Sequence, residues 1–280
     1  MMRQKKIGLL TSFTSEILKG DYFVRIMTGM IDAVRQSKYE LKPIMVRDGE
    51  GNDLAWQMLE TDPVQGMLFL TWTIHRVYLQ KAKDMNIPTV VINDFTPGLQ
   101  ENIVYSDNRA GVEQSLQHLR KTGRKRIGML QAPDDASVDS RERLRLWHEL
   151  LDQYGLTADE AHYRKCDYYF EEDGYLKMMD IIHTHQSLPQ AMLCFNDDIA
   201  IGAMRALKES WIMCPGQVGV IGYDGIVKGK LMEPSLTTVN QPLEQMGSEM
   251  VRILIDLMEG SVQPPVQKKF TPELIVRRSC

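Results

Sequence analysis

The chain has 280 residues, enough to bury a sizeable core as one large domain or two smaller ones. Apolar residues make up 43% and charged residues 25%, a globular balance that excludes a disordered chain. The formal net charge of −4 excludes a bulk polyanion binder, and no apolar run is long enough to span a bilayer.

The amino terminus has a basic tip, but Ser12, Thr14, Ser15 and Glu16 interrupt the apolar run too early for a signal peptide. A cytoplasmic location is therefore expected. Cys166, Cys194, Cys214 and Cys280 show no CxxC or metal spacing and read as free thiols in a reducing compartment. The 18 methionines read as filler for the core and for gaps between helices.

In chain order, Lys6 to Leu10 is a short apolar run that reads as a strand. After a polar stretch, Phe23, Ile26, Met27, Met30, Ile31 and Val34 recur at helical spacing. Leu41 to Val46 reads as a second strand, residues 48–52 as a turn, and 53–61 as a helix capped by Asn52 or Asp53. A strand at 66–70, a helix at 74–85 and a strand at 87–92 follow. Evenly apolar strands alternating with helices predict a parallel sheet covered on both faces.

The pattern restarts after Ser106. Residues 107–121 read as helix, 125–130 as strand, and 141–154 as a helix ending near Gly155. A strand at 191–195, a helix at 198–209 and a strand at 218–223 continue the series. Late in the chain, Met246, Met250, Ile253, Leu254 and Leu257 mark a periodic helix, followed by a turn-rich connector at 260–265. Two similar series predict two Rossmann-like α/β lobes with a crevice between them.

In open α/β sheets, ligand contacts come from loops after the carboxyl ends of the strands. That rule selects Tyr22 and Phe23, then Trp72, then Asn93 and Asp94 in the first half. In the second half it selects the loop 134–143 with Arg143, the pair Asn196 and Asp197, and Asp224. Carboxylates and amides can replace the hydration water of a polyhydroxy ligand, and arginine adds a fixed donor fork. Each candidate also has an architectural reading. Asp197 suits a helix cap, Asp224 before Gly225 a tight turn, and Arg143 a solvated charge cluster with Arg141 and Glu142. Tyr22, Phe23 and Trp72 equally suit packing against helices.

Several segments together resemble the effector-binding core of the lactose/galactose repressor family over nearly the whole chain. They are residues 104–111 (VYSDNRAG), 194–203 (CFNDDIAIGA), 220–224 (VIGYD), 234–242 (PSLTTVNQP) and the ending 272–279 (PELIVRRS). The resemblance implies a periplasmic-binding-protein-like type I fold: two Rossmann-like lobes joined by three crossings. Mapped onto this chain, one lobe comprises 5–106 plus 240–263 and the other 107–239 plus 264–280. The resemblance also makes Arg143 the ligand-binding arginine, with Arg141 as the alternative register. It adds Tyr223 and Gln241 to the candidates and supports Asn196, Asp197 and Asp224. The first-loop aromatic segment of the family resembles Gly20-Asp21-Tyr22-Phe23, and its acidic position after the fourth strand corresponds to Asn93, with Asp94 next to it.

The implied function is the sensing core of a transcription regulator that binds a sugar or sugar-like metabolite and forms a homodimer. Pentose, hexose, sugar phosphate, nucleoside and purine all remain open as effector. Operator DNA would be reached only through a helix-turn-helix, which is expected to be absent from this chain. A stand-alone or transport-associated sugar-binding protein is the alternative. No Gly-x-Gly-x-x-Gly fingerprint, phosphate loop or nucleophile elbow is present, and the six histidines show no metal motif. The expectation is therefore a protein that is not an enzyme, with no cofactor, no metal and no membrane partner.

Overall fold

The computed structural model describes residues 5–11, 20–45, 57, 59–70, 76–93, 100–133 and 137–280. The chain divides into two compact units, Met1–Ser106 with Pro242–Phe270 and Asp107–Gln241 with Thr271–Cys280. It thus passes from one unit to the other three times. The second and third passages fall after the residues expected from sequence. The strand Thr237–Asn240 and the bond from Gln241 to Asp224 hold 240–241 in the second unit. The strand Gln267–Phe270 pairs with Ile103–Ser106 and so belongs to the first.

In the first unit, strands β1 (Lys5–Thr11), β2 (Tyr39–Met45), β3 (Gly66–Phe69), β4 (Thr89–Ile92) and β5 (Ile103–Ser106) lie in the order β2-β1-β3-β4-β5. The late strand β11 (Gln267–Phe270) adds beside β5, and every pairing is parallel. Helix α1 (Asp21–Arg35) buries Phe23, Ile26, Met30 and Val34, the face that its 3.6-residue periodicity predicts. Asp21 in its first turn and Arg35 in its last match the helix dipole. Helix α2 (Arg76–Asp84) follows β3. The helix expected at 53–61 lies mostly outside the described residues.

Helix α8 (Leu243–Glu259) packs on α1 with Met246, Met250, Ile253 and Leu254 buried, so this methionine stripe is core. The two backbones approach so closely that a Cβ on Gly29 would lie 1.8 Å from the carbonyl oxygen of Glu244. Arg25 closes the same seam with two bonds to the Glu244 carboxylate, at 2.8 and 2.9 Å.

The second unit repeats the strand order as β7-β6-β8-β9-β10, with β12 at the end. Its strands are β6 (Arg126–Gln131), β7 (Thr157–Lys165), β8 (Ala191–Cys194), β9 (Gly219–Asp224), β10 (Thr237–Asn240) and β12 (Glu273–Ile275). Here the last pairing, β10 with β12, is antiparallel. The helices are α3 (Asn108–Lys121), α4 (Val138–Leu150), α5 (Glu171–Thr184), α6 (Asp197–Glu209) and the short α7 (Val227–Leu231).

Two departures from the sequence expectation have plain causes. Helix α4 begins at Val138 rather than Arg141, because Ser137 caps it by accepting from the Asp139 N–H at 3.1 Å. The edge strand β7 was not expected, since its sequence TADEAHYRK is mostly polar and largely uncovered. The four cysteines are free thiols, as expected. Burial pushes Cys166 and Cys214 up to about 12, far from the reactive thiolate form. Among the described residues, no helix is long and apolar enough to cross a membrane.

Candidate functional site

The order 2-1-3-4-5 places a topological switch between β6 and β8 in the second unit, where loops diverge and leave room for a ligand. The side chains at the carboxyl ends of β8, β9 and β10, together with the start of α4, form one connected cluster.

Arg143 is its centre. Its flanking charges suggested a solvated side chain, but the residue is only 4% exposed. Its Nε donates to Asn108 Oδ1 at 2.8 Å and its Nη1 to the Phe195 carbonyl at 2.7 Å. The guanidinium lies 3.5 Å from the centre of the Tyr223 ring and 4.6 Å from that of Phe195. Cation–π attraction on both aromatic rings, with two directed bonds, fixes the plane of this group before any ligand arrives.

Asn108 passes the order on. Its Nδ2 donates to Asp139 Oδ1 at 2.6 Å. Asp139 sits one helical turn before Arg143 on α4, with Oδ2 3.9 Å from Nη2. Burial pushes the Asp139 carboxyl above its usual range, opposed by Arg143 and by the Asn108 bond.

Asp224 ends β9 with φ at +113°, in a region that side chains other than glycine rarely adopt. The turn it was expected to shape is real, and it aims the carboxylate at Gln241, whose Nε2 donates to Oδ1 at 2.7 Å. Asp224 is 7% exposed and Gln241 is 1% exposed. Burial holds the Asp224 carboxyl well above its ordinary value, although Arg143 and the Gln241 bond pull the other way.

The pair Asn196 and Asp197 divides its work differently from the expectation. Asn196, not Asp197, caps α6, with Oδ1 accepting from the Ile199 N–H at 2.8 Å while Nδ2 donates to the Tyr169 carbonyl at 3.0 Å. Asp197 has no exposed surface and turns inward. Its Oδ1 accepts from the Thr238 hydroxyl at 2.6 Å and its Oδ2 from the Ile226 N–H at 2.8 Å. Burial raises this carboxyl to about 7, opposed by those bonds. The geometry is that of a brace tying α6 to the β9–α7 turn and β10.

Of the candidates in the first unit, Phe23 is 7% exposed and packs with the hydrophobic core, the architectural reading that its sequence left open. Tyr22 is part-buried, and its hydroxyl accepts from Asn93 Nδ2 at 2.9 Å. Asn93, at φ +52°, also accepts from the Ser106 N–H with Oδ1 at 3.0 Å. Trp72 and Asp94 lie outside the described residues. The sequence reading missed Asn108, Asp139 and Phe195. Asn108 was visible within the segment 104–111, and Asp139 in a serine cap with an acid two residues on. Among the described residues, no group of three or more His, Cys, Asp or Glu side chains could hold a metal.

The model of a periplasmic binding protein-like domain matches residues 116–280. The chain is 25% identical over 279 residues to the HTH-type transcriptional regulator GalR of Escherichia coli strain K12, covering 96% of this chain and 79% of that one. It is 28% identical over 280 residues to the HTH-type transcriptional regulator CelR of Thermobifida fusca, covering 99% and 82%. The solved transcriptional regulator CelR–cellobiose complex superposes with a TM-score of 0.87 at 26% identity, over 99% of this chain and 85% of the other.

Proposed function

This chain belongs to the periplasmic binding protein-like family, and on that premise we propose that it is the effector-sensing part of a lactose/galactose-type transcription regulator. Its effector is a sugar or sugar-like metabolite. The observation that carries the reading is the Arg143 cluster, where a guanidinium of fixed plane stands with Asp139, Asp224 and Gln241 at the carboxyl edge of one sheet.

Such a cluster suits a polyhydroxy ligand. Hydroxyls both donate and accept, so they can satisfy carboxylates and guanidinium together. Because the side chains are already held by protein bonds, little ordering cost remains for binding. Leaving one of these buried groups unsatisfied costs about 1–3 kcal/mol, which favours ligands that carry hydroxyls at the matching points. The similarity to a regulator whose solved complex contains cellobiose supports the sugar class. Contact of the same ligand with Tyr22, Asn93 and Asp94 rests on their loop position and on the sequence resemblance, and contact with Trp72 on its loop position alone.

The reading includes a cytoplasmic location and a homodimer. An exposed apolar face on the second unit supports the homodimer. Trp211 is 93% exposed and Met213 65%, and both line a hollow of about 570 Å³. Effector binding controls such a regulator only through its difference in affinity between conformations. Operator recognition belongs to the helix-turn-helix of these regulators, and no residue of this chain is assigned to it. The relatives compared are transcriptional regulators, which opposes an enzymatic reading.

Calorimetric titration with pentoses, hexoses and disaccharides tests the proposal. Saturable binding of at least one sugar, unaccompanied by its turnover, is expected. Turnover, or binding of none of them, contradicts it.

A further inference from the structure

Among the described residues, the Arg143 cluster has one polar edge left uncommitted, and that edge has two signs. Nε and Nη1 of Arg143 are engaged by Asn108 and by the Phe195 carbonyl, and the guanidinium lies against the rings of Tyr223 and Phe195. Nη2 stands 3.9 Å from Asp139 Oδ2, beyond hydrogen-bond length. Asp139 Oδ1 is meanwhile committed to Asn108 Nδ2 at 2.6 Å. The amide of Asn108 thus keeps guanidinium and carboxylate apart while fixing both, oxygen toward the cation and nitrogen toward the anion.

What remains is a donor, Nη2, beside an acceptor, Oδ2. A ligand hydroxyl, or two vicinal ones, satisfies both: it accepts from Nη2 and donates to Oδ2. A phosphate or carboxylate oxygen satisfies only the first and is repelled by the second. We infer that Asp139 makes this site select neutral, hydroxyl-bearing effectors over their phosphorylated counterparts, an inference that rests on the sugar-sensing reading above.

Asp139 stands in the first turn of α4, where the helix dipole favours a negative charge. The guanidinium charge of Arg143 by itself would attract a phosphate oxygen to Nη2. With Asp139 one turn away, an anionic ligand enters against like charge or only with uptake of a proton, and either route costs affinity. Asp139 therefore acts as a specificity residue through the ligand atoms it accepts from, in addition to positioning Asn108.

Calorimetry at pH 8 with matched pairs tests this: glucose and glucose 6-phosphate, ribose and ribose 5-phosphate, cellobiose and its 6-phosphate. In the unaltered chain the neutral member of the bound pair is expected to bind more tightly, by roughly tenfold or more. Asp139→Asn keeps the shape and the Asn108 bond but removes the charge, and it is expected to narrow that ratio by about tenfold. Asp139→Ser provides the same readout should the asparagine variant fail to fold. A purely structural role would weaken both members of a pair alike. Tighter binding of the phosphorylated member by the unaltered chain overturns the inference and leaves the sugar-sensing reading standing. An unchanged ratio in a folded variant overturns the role of Asp139. Failure of every pair to bind the unaltered chain overturns the sugar-sensing reading, and this inference with it.

Discussion

The two units share one strand order and differ at the carboxyl edges of their sheets. Among the described residues, the edge of the first unit is held by neutral pairs, Asn93 with the Tyr22 hydroxyl and with the Ser106 N–H. The edge of the second carries Arg143, Asp139 and Asp224, all buried, with aromatic rings against the guanidinium. Both units also rely on a tight helix crossing, α1 on α8 in one and α5 on α6 in the other, where a Cβ on Gly29 or Gly202 would strike backbone. The architecture is thus repeated while the chemistry is not. A sheet order sets where a ligand can sit, and a few side chains at strand ends decide what it is.

The largest expected effect comes from removing the charge at the centre of the second edge. Arg143→Gln deletes one partner of a buried network, a change worth about 2–5 kcal/mol in binding, or roughly 30-fold to several thousand-fold in Kd. Calorimetry on the variant checks this. The corresponding change in the first unit, Tyr22→Phe, removes one neutral hydrogen bond and is expected to be the smallest effect described here.

Between these lies the pH dependence of the second unit. Asp197 has a folded-state pKa raised from 3.8 to about 7 by burial. Between those values the native state holds a proton that the unfolded chain has released, so stability falls as pH rises through that window. The contribution is fully present below pH 4 and lost above pH 7, amounting to about 4 kcal/mol at about 1.4 kcal/mol per pKa unit. Asp197→Asn removes the titration, since its amide can still accept from the Ile226 N–H and donate to a reoriented Thr238 hydroxyl. The difference between urea midpoints at pH 4.5 and 7.5 is expected to shrink in the variant relative to the unaltered chain, the remainder coming from Asp224 and Asp139, whose carboxyls burial also raises.

The helix crossing comes next in size. Gly202→Ala puts a methyl group 1.9 Å from the Glu171 carbonyl oxygen and is expected to destabilise by about 1–3 kcal/mol, read from the denaturation midpoint. Tyr22→Phe follows, at about 1 kcal/mol of stability by the same measurement.

Strands β1 to β4, β6, β8 and β9 were legible because they are short, evenly apolar and flanked by helical periodicity. Strands β5 and β10, though interior, are four-residue strands with polar positions (IVYS and TTVN) that carry a weaker signal. Strand β7 was not, since its exposed edge position admits Asp159, Glu160 and Arg164, which carry no strand signal. Arg143 and Asp224 could be found from loop position and resemblance. Asp139 is signalled only by the Ser137 cap two residues before it, and its i, i+4 relation to Arg143 exists only because that cap starts α4 ahead of Arg141. The reversal of roles between Asn196 and Asp197 has a similar origin. Both residue types cap helices well, and a shift of one position decides which side chain reaches the Ile199 N–H and which turns into the core.

The proposed effector site requires the buried carboxylate of Asp224 to serve the ligand more than the fold, and Asp224→Asn separates the two. Asparagine keeps the shape, can still accept from Gln241, and tolerates the positive φ of this position. Since burial disfavours the charge that it removes, the variant is expected to melt at the same temperature as the unaltered chain or higher. Calorimetry with the best-bound neutral sugar is expected to show affinity weakened by about tenfold or more in that folded protein. Unchanged affinity in the folded variant would contradict the assignment of this cluster as the effector site.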